Sequence, residues 1–516
     1  MARVTLYNKL IVAFVALGSY SYGYSYAVFG TSIGMPGFFL YFDLDPDSSY
    51  TAGIIGTVNS LFAAGAAFGA IFQGWLADWI GRKNSFAVAA LSSLVGSALF
   101  AGSVDVPMLV VCRFINGFGL GILLSLVPLY IAEVAPPRHR GAMASFTAVG
   151  FAGGYFISAW VGYACYFAKS LTVQWRLPLA LAVVGPIFVM AGVWWLPESP
   201  RYLSWKNRND EAWEIIRKIH HDPEDAHDSA ARAEYIQIVK QVEFDKTISS
   251  GYIDMFRRPS WRKRSLLTIF LIFAMQSAGI LGITNYVVLI CQSLDLTGSM
   301  PLLMYALYVV VAVSGNCFNQ FAIDRLGRRK MFLIGLPVTG GCLLAEALLQ
   351  RQYVGTDHKA GLGAALFFVF LFGICYGFFL DPTQFVWCSE VFPTTLRAKG
   401  LGLCFFTYFI GAITYTTPAP TAFKNIGWKY YLVWVACDVV SVVLVYFFLP
   451  ETAGLSLEEV GQLFGDTVVV HLTKDGHGLV EMDQLDKYDD KTPTETREIE
   501  RVEGEGELHS IPKQSA

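Results

Sequence analysis

Apolar residues run along this chain in long blocks, not in the alternation of a sheet or the one-sided stripe of a soluble helix. Blocks near 10–29, 52–76, 84–103, 107–132, 142–165 and 176–196 each approach the ~20 residues that a bilayer-crossing helix needs. A polar stretch from Pro197 to Arg264, carrying both signs of charge, interrupts them. Six more blocks follow near 265–293, 299–323, 331–350, 361–389, 400–423 and 428–449. The pattern predicts an all-α polytopic membrane protein with twelve transmembrane helices. Its expected organisation is a six-helix bundle at 1–196, a cytoplasmic linker with short helices at 197–264, a second six-helix bundle at 265–449 and a largely disordered cytoplasmic tail at 450–516. The first block has no small-residue cleavage site ahead of a soluble region, so it is expected to remain as the first span. The tail is acidic and short of aromatics after Phe464, the composition of a solvated segment beyond the first turns around Leu455–Leu463.

The placement of Lys and Arg orients the spans. Arg82 and Lys83, Arg138 and Arg140, Arg325 with Arg328, Arg329 and Lys330, and Arg397 with Lys399 all fall in connections on one side. The first opposite connection, residues 30–50, has no Lys or Arg and carries Asp43, Asp45 and Asp47. Short loops rich in basic residues face the cytoplasm, which places both termini and the linker there. Composition agrees with a lipid environment: 54% of the 516 residues are hydrophobic and 15% charged, too few charges to cover a soluble surface of this size. The formal net charge of −3 gives no footprint for nucleic acid. Most of the nine cysteines lie inside apolar runs (Cys112, Cys165, Cys317, Cys404, Cys437) without metal-ligand spacing, so they read as packing residues and no metal or cofactor is expected. Nor is there a nucleotide-binding glycine motif or a nucleophile arrangement. An enzyme is not expected, and Ser199 reads as a helix-end residue.

Three charge motifs recur in the same order in each half. Asp78-x-x-Gly81-Arg82-Lys83 matches Asp324-x-x-Gly327-Arg328-Arg329. Glu133 precedes Arg140 by seven residues, as Glu390 precedes Arg397. Pro197-Glu198-Ser199 closes the first half and Pro450-Glu451-Thr452 the second. Three matches in register imply duplication of a six-helix unit, an arrangement that sets a solute site at mid-membrane between the halves. The acids and arginines Asp78, Arg82, Glu133, Arg140, Glu198, Asp324, Arg328, Glu390, Arg397 and Glu451 are expected to meet at the cytoplasmic ends. Bidentate carboxylate–Arg bonds there could latch the inner side shut. The alternative is that the basic residues simply anchor loops inside.

At these motifs the chain resembles the sugar porter family of the major facilitator superfamily, especially its fungal members. The match runs from about Gly18 to Gly461. It includes Arg113-Phe114 with Gly117, Gly119 and Gly121, then Pro128, Tyr130, Glu133 and Arg140-Gly141, and Pro197-Glu198-Ser199-Pro200-Arg201. The resemblance implies the twelve-helix major facilitator fold in two six-helix pseudo-repeats, alternating access and no cofactor. It also implies a small-molecule solute, action as a monomer in the lipid bilayer, and a plasma-membrane location.

In this family, amides and aromatics on spans five, seven, eight, ten and eleven hold the hydroxyls of a sugar. Here the span-five Gln position reads Ala148, and the span-seven Gln pair reads Met275-Gln276. Gly279 matches, while the Asn two residues on is Leu281 and the Tyr pair is Asn285-Tyr286. Span eight has Ala312 for Asn, span ten Phe385 for Trp, and span eleven Tyr408 for Asn. The resemblance therefore leaves Gln276, Tyr286 and Phe385 as carried-over candidates, with Asn285, Asp381, Gln384 and Thr407 as possible replacements. Proton-driven members carry an acid on span one in a Gly-Tyr-Asp sequence; this chain reads Gly23-Tyr24-Ser25, and serine does not titrate in the physiological range. The expected function is a carrier for a sugar, polyol or similar small neutral solute without proton coupling. Three alternatives stay open: a proton symporter using Asp381, a non-transporting nutrient sensor, and an exporter of a less polar metabolite. Asp381 beside Pro382 also reads as a helix cap, as a substrate contact or as a relocated proton site. Glu346 and Asp438 are further acids within spans, and Arg113 reads as part of the span-four fold.

Overall fold

Lipid offers the backbone no hydrogen-bond partners, so long apolar segments cross it as helices. The computed structural model describes residues 6–465, apart from 47, 136–139, 220–227, 247–250, 394–395 and 454–456, together with 470–472 and 479–481. In the first half, span 1 is Leu6–Ser32, span 2 Ser49–Ile80, span 3 Arg82–Ala101, span 4 Val106–Val134, span 5 Arg140–Tyr166 and span 6 Leu171–Trp195. In the second, span 7 is Pro259–Thr284, span 8 Met300–Leu326, span 9 Arg328–Tyr353, span 10 Lys359–Val391, span 11 Arg397–Ile426 and span 12 Lys429–Phe448. Among the described residues, eleven of these are long and apolar enough to cross a bilayer. Span 1, with 27 residues, is equally long; its serines, tyrosines and glycines dilute its hydropathy because most of it is buried inside the bundle.

The sequence blocks and the helices differ where proline and glycine intervene. Span 7 begins at Pro259, inside the expected linker, because a proline in the first turn starts a helix without losing a hydrogen bond. It then breaks at Gly279, whose φ of +87° is left-handed, resumes as Ile280–Thr284, and continues as Val287–Ser293 after Tyr286. Span 6 is two helices, Leu171–Leu181 and Val184–Gly192, followed by a 3-10 turn at Val193–Trp195. Between the halves lie the helices Pro200–Trp205, Asn209–Ile219, Ser229–Lys246 and Asp254–Arg257. Residues 470–472 and 479–481 pair as an antiparallel hairpin, Val470 opposite Glu481 and Leu472 opposite Leu479. The apolar pattern does not predict this pairing, and the rest of the expected disordered tail after Gly465 lies outside the described residues.

Within the first half, span 2 packs on span 4, span 1 on span 5 and span 3 on span 4. Within the second, spans 8 and 9 pack on span 10 and span 9 on span 12. The halves meet along span 2 against span 11 and span 5 against span 8, two pairs that the internal duplication interchanges. Close approach rests on glycines read from sequence. A Cβ at Gly117 or Gly121 would strike the backbone of Phe62 or Ala66 on span 2. A Cβ at Gly119 would strike that of span 3 at Ser93.

Adding a side chain at such a contact forces the helices apart, at a cost of about 1–3 kcal/mol. Gly121→Leu is expected to lower the melting temperature of the detergent-purified protein. Gly153→Leu, at a position facing open space, should leave it unchanged. Equal melting temperatures for the two variants would contradict this packing.

Candidate functional site

Proline has no N–H to give to the carbonyl four residues earlier, and Pro382 therefore frees the Phe378 oxygen inside span 10. Asn319 of span 8 replaces the missing donor: its Nδ2 lies 2.6 Å from Phe378 O and 3.0 Å from Thr383 Oγ1. The helix ends at Phe379 and restarts at Asp381. Asp381 does not cap this restart, since no side-chain cap bond forms there. Its carboxyl turns sideways instead, accepting from Asn316 Nδ2 at 3.0 Å and from Gln384 Nε2 at 3.3 Å. Gln384 Oε1 in turn accepts from Gln276 Nε2 of span 7 at 3.1 Å. Four polar side chains from three spans thus form one chain beside the break.

This chain faces a cavity lined by both halves. Span 5 contributes Phe151, Ala152 and Tyr155. Span 7 contributes Gln276, Leu281 and Thr284, span 8 Tyr308, Ala312 and Asn316, span 10 Tyr376 and Asp381, and span 11 Tyr408. Thr284 and Tyr308 share a hydrogen bond of 3.1 Å, and Tyr376 Oη donates to Met275 O at 3.1 Å. Two wall atoms are buried without a partner among the described residues: Gln276 Oε1 and Asn316 Oδ1. The lining residues include no Lys or Arg. Behind the wall an aromatic layer continues between the halves, with Tyr22 stacked on Phe151 (5.5 Å) and edge-on to Phe409 (5.8 Å).

Of the residues expected at the site, Gln276 and Asp381 line the cavity and Gln384 sits directly behind them. Phe385 stacks on Phe405 at 5.2 Å and lies 5.9 Å from Tyr408. Thr407 bonds only its own helix, at Leu403 O. Asn285 and Tyr286 lie outside the cavity, in the seam towards the end of the bundle where span 2 begins. There Asn285 Nδ2 donates to Tyr26 Oη at 3.0 Å and Asn59 Nδ2 to Tyr286 Oη at 3.1 Å, while Tyr286 Oη donates to Thr416 O at 2.9 Å. Sequence comparison missed Asn316, which lies one turn beyond Ala312 on the same helical face. It also missed Tyr155, Tyr308 and Tyr376, which carry no local signal beyond aromatic character. Arg113 lies buried under the Phe62 ring and donates to the carbonyls of Ser25 (2.7 Å) and Tyr26 (3.3 Å), a fold role. Glu346 accepts from Gln350 Nε2 at 2.8 Å, and Asp438 is buried opposite Gly340; neither lines the cavity.

At the opposite end the charge motifs assemble. Arg82 binds Glu133 bidentately, through Nε at 2.9 Å and Nη2 at 2.8 Å, and lies 3.5 Å from Asp78. Arg328 binds Glu390 at 2.8 Å and Asp324 at 2.9 Å. Each arginine therefore holds acids of its own half, not of the other. The reason is the turn: Gly81 and Gly327, at φ +90° and +88°, reverse the chain so tightly that the next arginine reaches its own bundle. Glu198 accepts from the backbone N–H of Arg82 and Lys83, and Glu451 from those of Arg328 and Arg329, so each closes the positive start of a helix. Burial pushes the Glu198 carboxyl above the usual carboxylate range, and the N–H groups of Ser199 and Arg82 draw it back. Across the halves the described contacts are Lys399 Nζ to Asp78 Oδ2 at 3.4 Å and Tyr252 Oη to Ile71 O at 2.9 Å. Arg397 is buried at the start of span 11, and the Arg140 side chain lies outside the described residues.

The sequence profile of the sugar (and other) transporter family matches residues 11–464. The chain is 30% identical to the MFS-type transporter criB of Aspergillus cristatus over 88% of this chain and 93% of that one. It is 28% identical to a high-affinity glucose transporter of Kluyveromyces lactis over 90% and 86%. The solved structure of the proton:xylose symporter XylE bound to 6-bromo-6-deoxy-D-glucose superposes with a TM-score of 0.77 at 22% identity, covering 90% of this chain and all of that one. Twelve helices in two interlocked sixes, a cavity at their junction and a family match over almost the whole length lead to one assignment: the chain belongs to the sugar (and other) transporter family, a multi-pass membrane transporter of major facilitator fold and not an enzyme.

Proposed function

We propose that this protein is an alternating-access carrier for a small organic solute of sugar or polyol size, acting as a monomer without a proton-binding acid on span 1. The observation that supports this reading is a cavity with walls from both halves and seams on either side of it. Towards the start of span 2 the seam runs through Asn59, Tyr286 and Tyr26. Towards the charged end it runs through Asp78, Lys399 and Tyr252. Opening one seam while the other holds would expose the cavity to one side at a time. The basic connections put the charged end in the cytoplasm, and the plasma membrane is the family's expected location.

The wall favours a solute with fewer hydroxyls than a hexose. Leu281 and Ala312 offer apolar surface where family members offer amides, and each hydroxyl facing them unpaired would cost about 1–3 kcal/mol. Span 1 holds no Asp or Glu anywhere along its length, and Arg113 is bonded to the Ser25 carbonyl where a coupling acid would stand. Both features support passive exchange.

In proteoliposomes the purified protein should exchange its solute in counterflow and should not concentrate it when a pH gradient is imposed. Gradient-driven accumulation that disappears in Asp381→Asn would overturn the passive reading. The charge clusters predict a separation of roles. Arg82→Ala strands a buried Glu133, at a cost of about 3–5 kcal/mol, and should abolish recovery of monodisperse protein. Lys399→Ala removes a partly exposed pair, worth about 0–1 kcal/mol, and should fold normally. Spin labels at the exposed positions Asn84 and Arg262 should then lie further apart on average, as the charged end opens more often; an unchanged distance distribution would remove Lys399 from the gate.

A further inference from the structure

A binding wall declares its ligand by what it leaves unsatisfied. Asn316 and Gln384 both turn their N–H groups towards Asp381, and Gln276 gives its N–H to Gln384. The amides thus direct their donors into the network, and what they leave unpaired beside Asp381 is acceptor: the buried Gln276 Oε1 and Asn316 Oδ1. Flipping either amide that faces Asp381 would set oxygen against oxygen, so the network fixes this polarity. Asp381 is half-buried in the cavity wall, without a Lys or Arg among its lining neighbours. Arg113, the buried cation on the first-half side, is committed to the Ser25 and Tyr26 carbonyls. Around the acceptors stand the rings of Tyr155, Tyr376 and Tyr408.

We propose that the cavity takes a protonated organic amine, its ammonium N–H groups set among Asp381, Asn316 and Gln276 and its apolar or aromatic body against Tyr155, Tyr376 and Tyr408. An ammonium has three donors and no acceptor, the complement of the carboxylate and the two unpaired amide oxygens. Its charge balances a carboxylate half-buried in the cavity wall, and charge-assisted hydrogen bonds are stronger than neutral ones. Aromatic faces attract cations and accept an apolar body equally well. A neutral polyol satisfies the acceptors but leaves the carboxylate without a counter-charge. This assignment rests on the carrier reading and replaces the neutral solute expected from sequence with a cationic one.

The test is a thermal-shift titration of the full-length protein in detergent with amine and alcohol pairs of matched shape: tyramine and tyrosol, tryptamine and tryptophol, phenethylamine and 2-phenylethanol, with xylose and glucose alongside. The expected result is that amines raise the melting temperature and their alcohol partners do not. Asp381→Asn should weaken amine binding at least about tenfold, whereas Asp381→Glu should keep the preference for amines. The ligand-free melting temperature of each variant shows that it is folded. The proposal is overturned if alcohols or sugars stabilise as well as amines, if no amine stabilises, or if Asp381→Asn binds amines unchanged. Counterflow of radiolabelled amine in liposomes then separates the two readings. An amine that binds through Asp381 but is not exchanged leaves the site standing and removes the carrier assignment; exchange of sugar alone does the reverse.

Discussion

Inside a bilayer a backbone carbonyl without a donor is too costly to leave, and the whole site follows from how one such carbonyl is answered. Pro382 frees Phe378 O, Asn319 takes it over, and the helix can then stop at Phe379 and restart at Asp381. A continuous span 10 would have no reason to hold a carboxylate at that depth. With the break stabilised by a side chain from span 8, the acid can turn away from its own helix and into the junction of the halves. The amides of spans 7, 8 and 10 then arrange themselves around it.

A comparable reuse appears at the charged end, where one device occurs twice. A glycine with positive φ reverses the chain, the next residue's guanidinium returns to its own bundle, and a distant glutamate receives the exposed N–H groups at the start of the following helix. A Cβ at Gly81 would collide with Glu198 and one at Gly327 with Glu451, so the glycine and the acid that faces it form one unit. Bidentate pairing of Arg82 with Glu133 stiffens the first half from within. Among the described residues, the side-chain contacts between halves at this end include the partly exposed pair of Lys399 with Asp78.

Much of this is legible in the chain itself. Apolar block length reveals the spans, because lipid thickness is a fixed ruler, and the repeated Gly-Arg and Pro-Glu motifs reveal the duplication. Helix interruptions at Gly279 and Leu380 are harder, since an apolar run reads the same whether or not a single residue leaves the helix. Spacing says which acids and arginines share an end and not which bundle each faces, and Arg82 and Arg328 hold acids of their own halves. In the cavity, a position-by-position comparison at 312 overlooks Asn316 one turn away; helical periodicity is the signal that finds it. Asn285 and Tyr286 have suitable chemistry, yet the break at Gly279 turns them into the seam.

The duplication is not perfect at one telling point. Lys399 of the second half reaches across to Asp78, whereas the residue at the matching sequence position of the first half is Ala142. The Lys399–Asp78 tie thus has no counterpart at the duplicated position, since alanine carries no charge. A partly exposed pair of this kind weakens as ionic strength rises, so this asymmetry makes one junction of the halves sensitive to electrolyte at a point where the duplicated position is not.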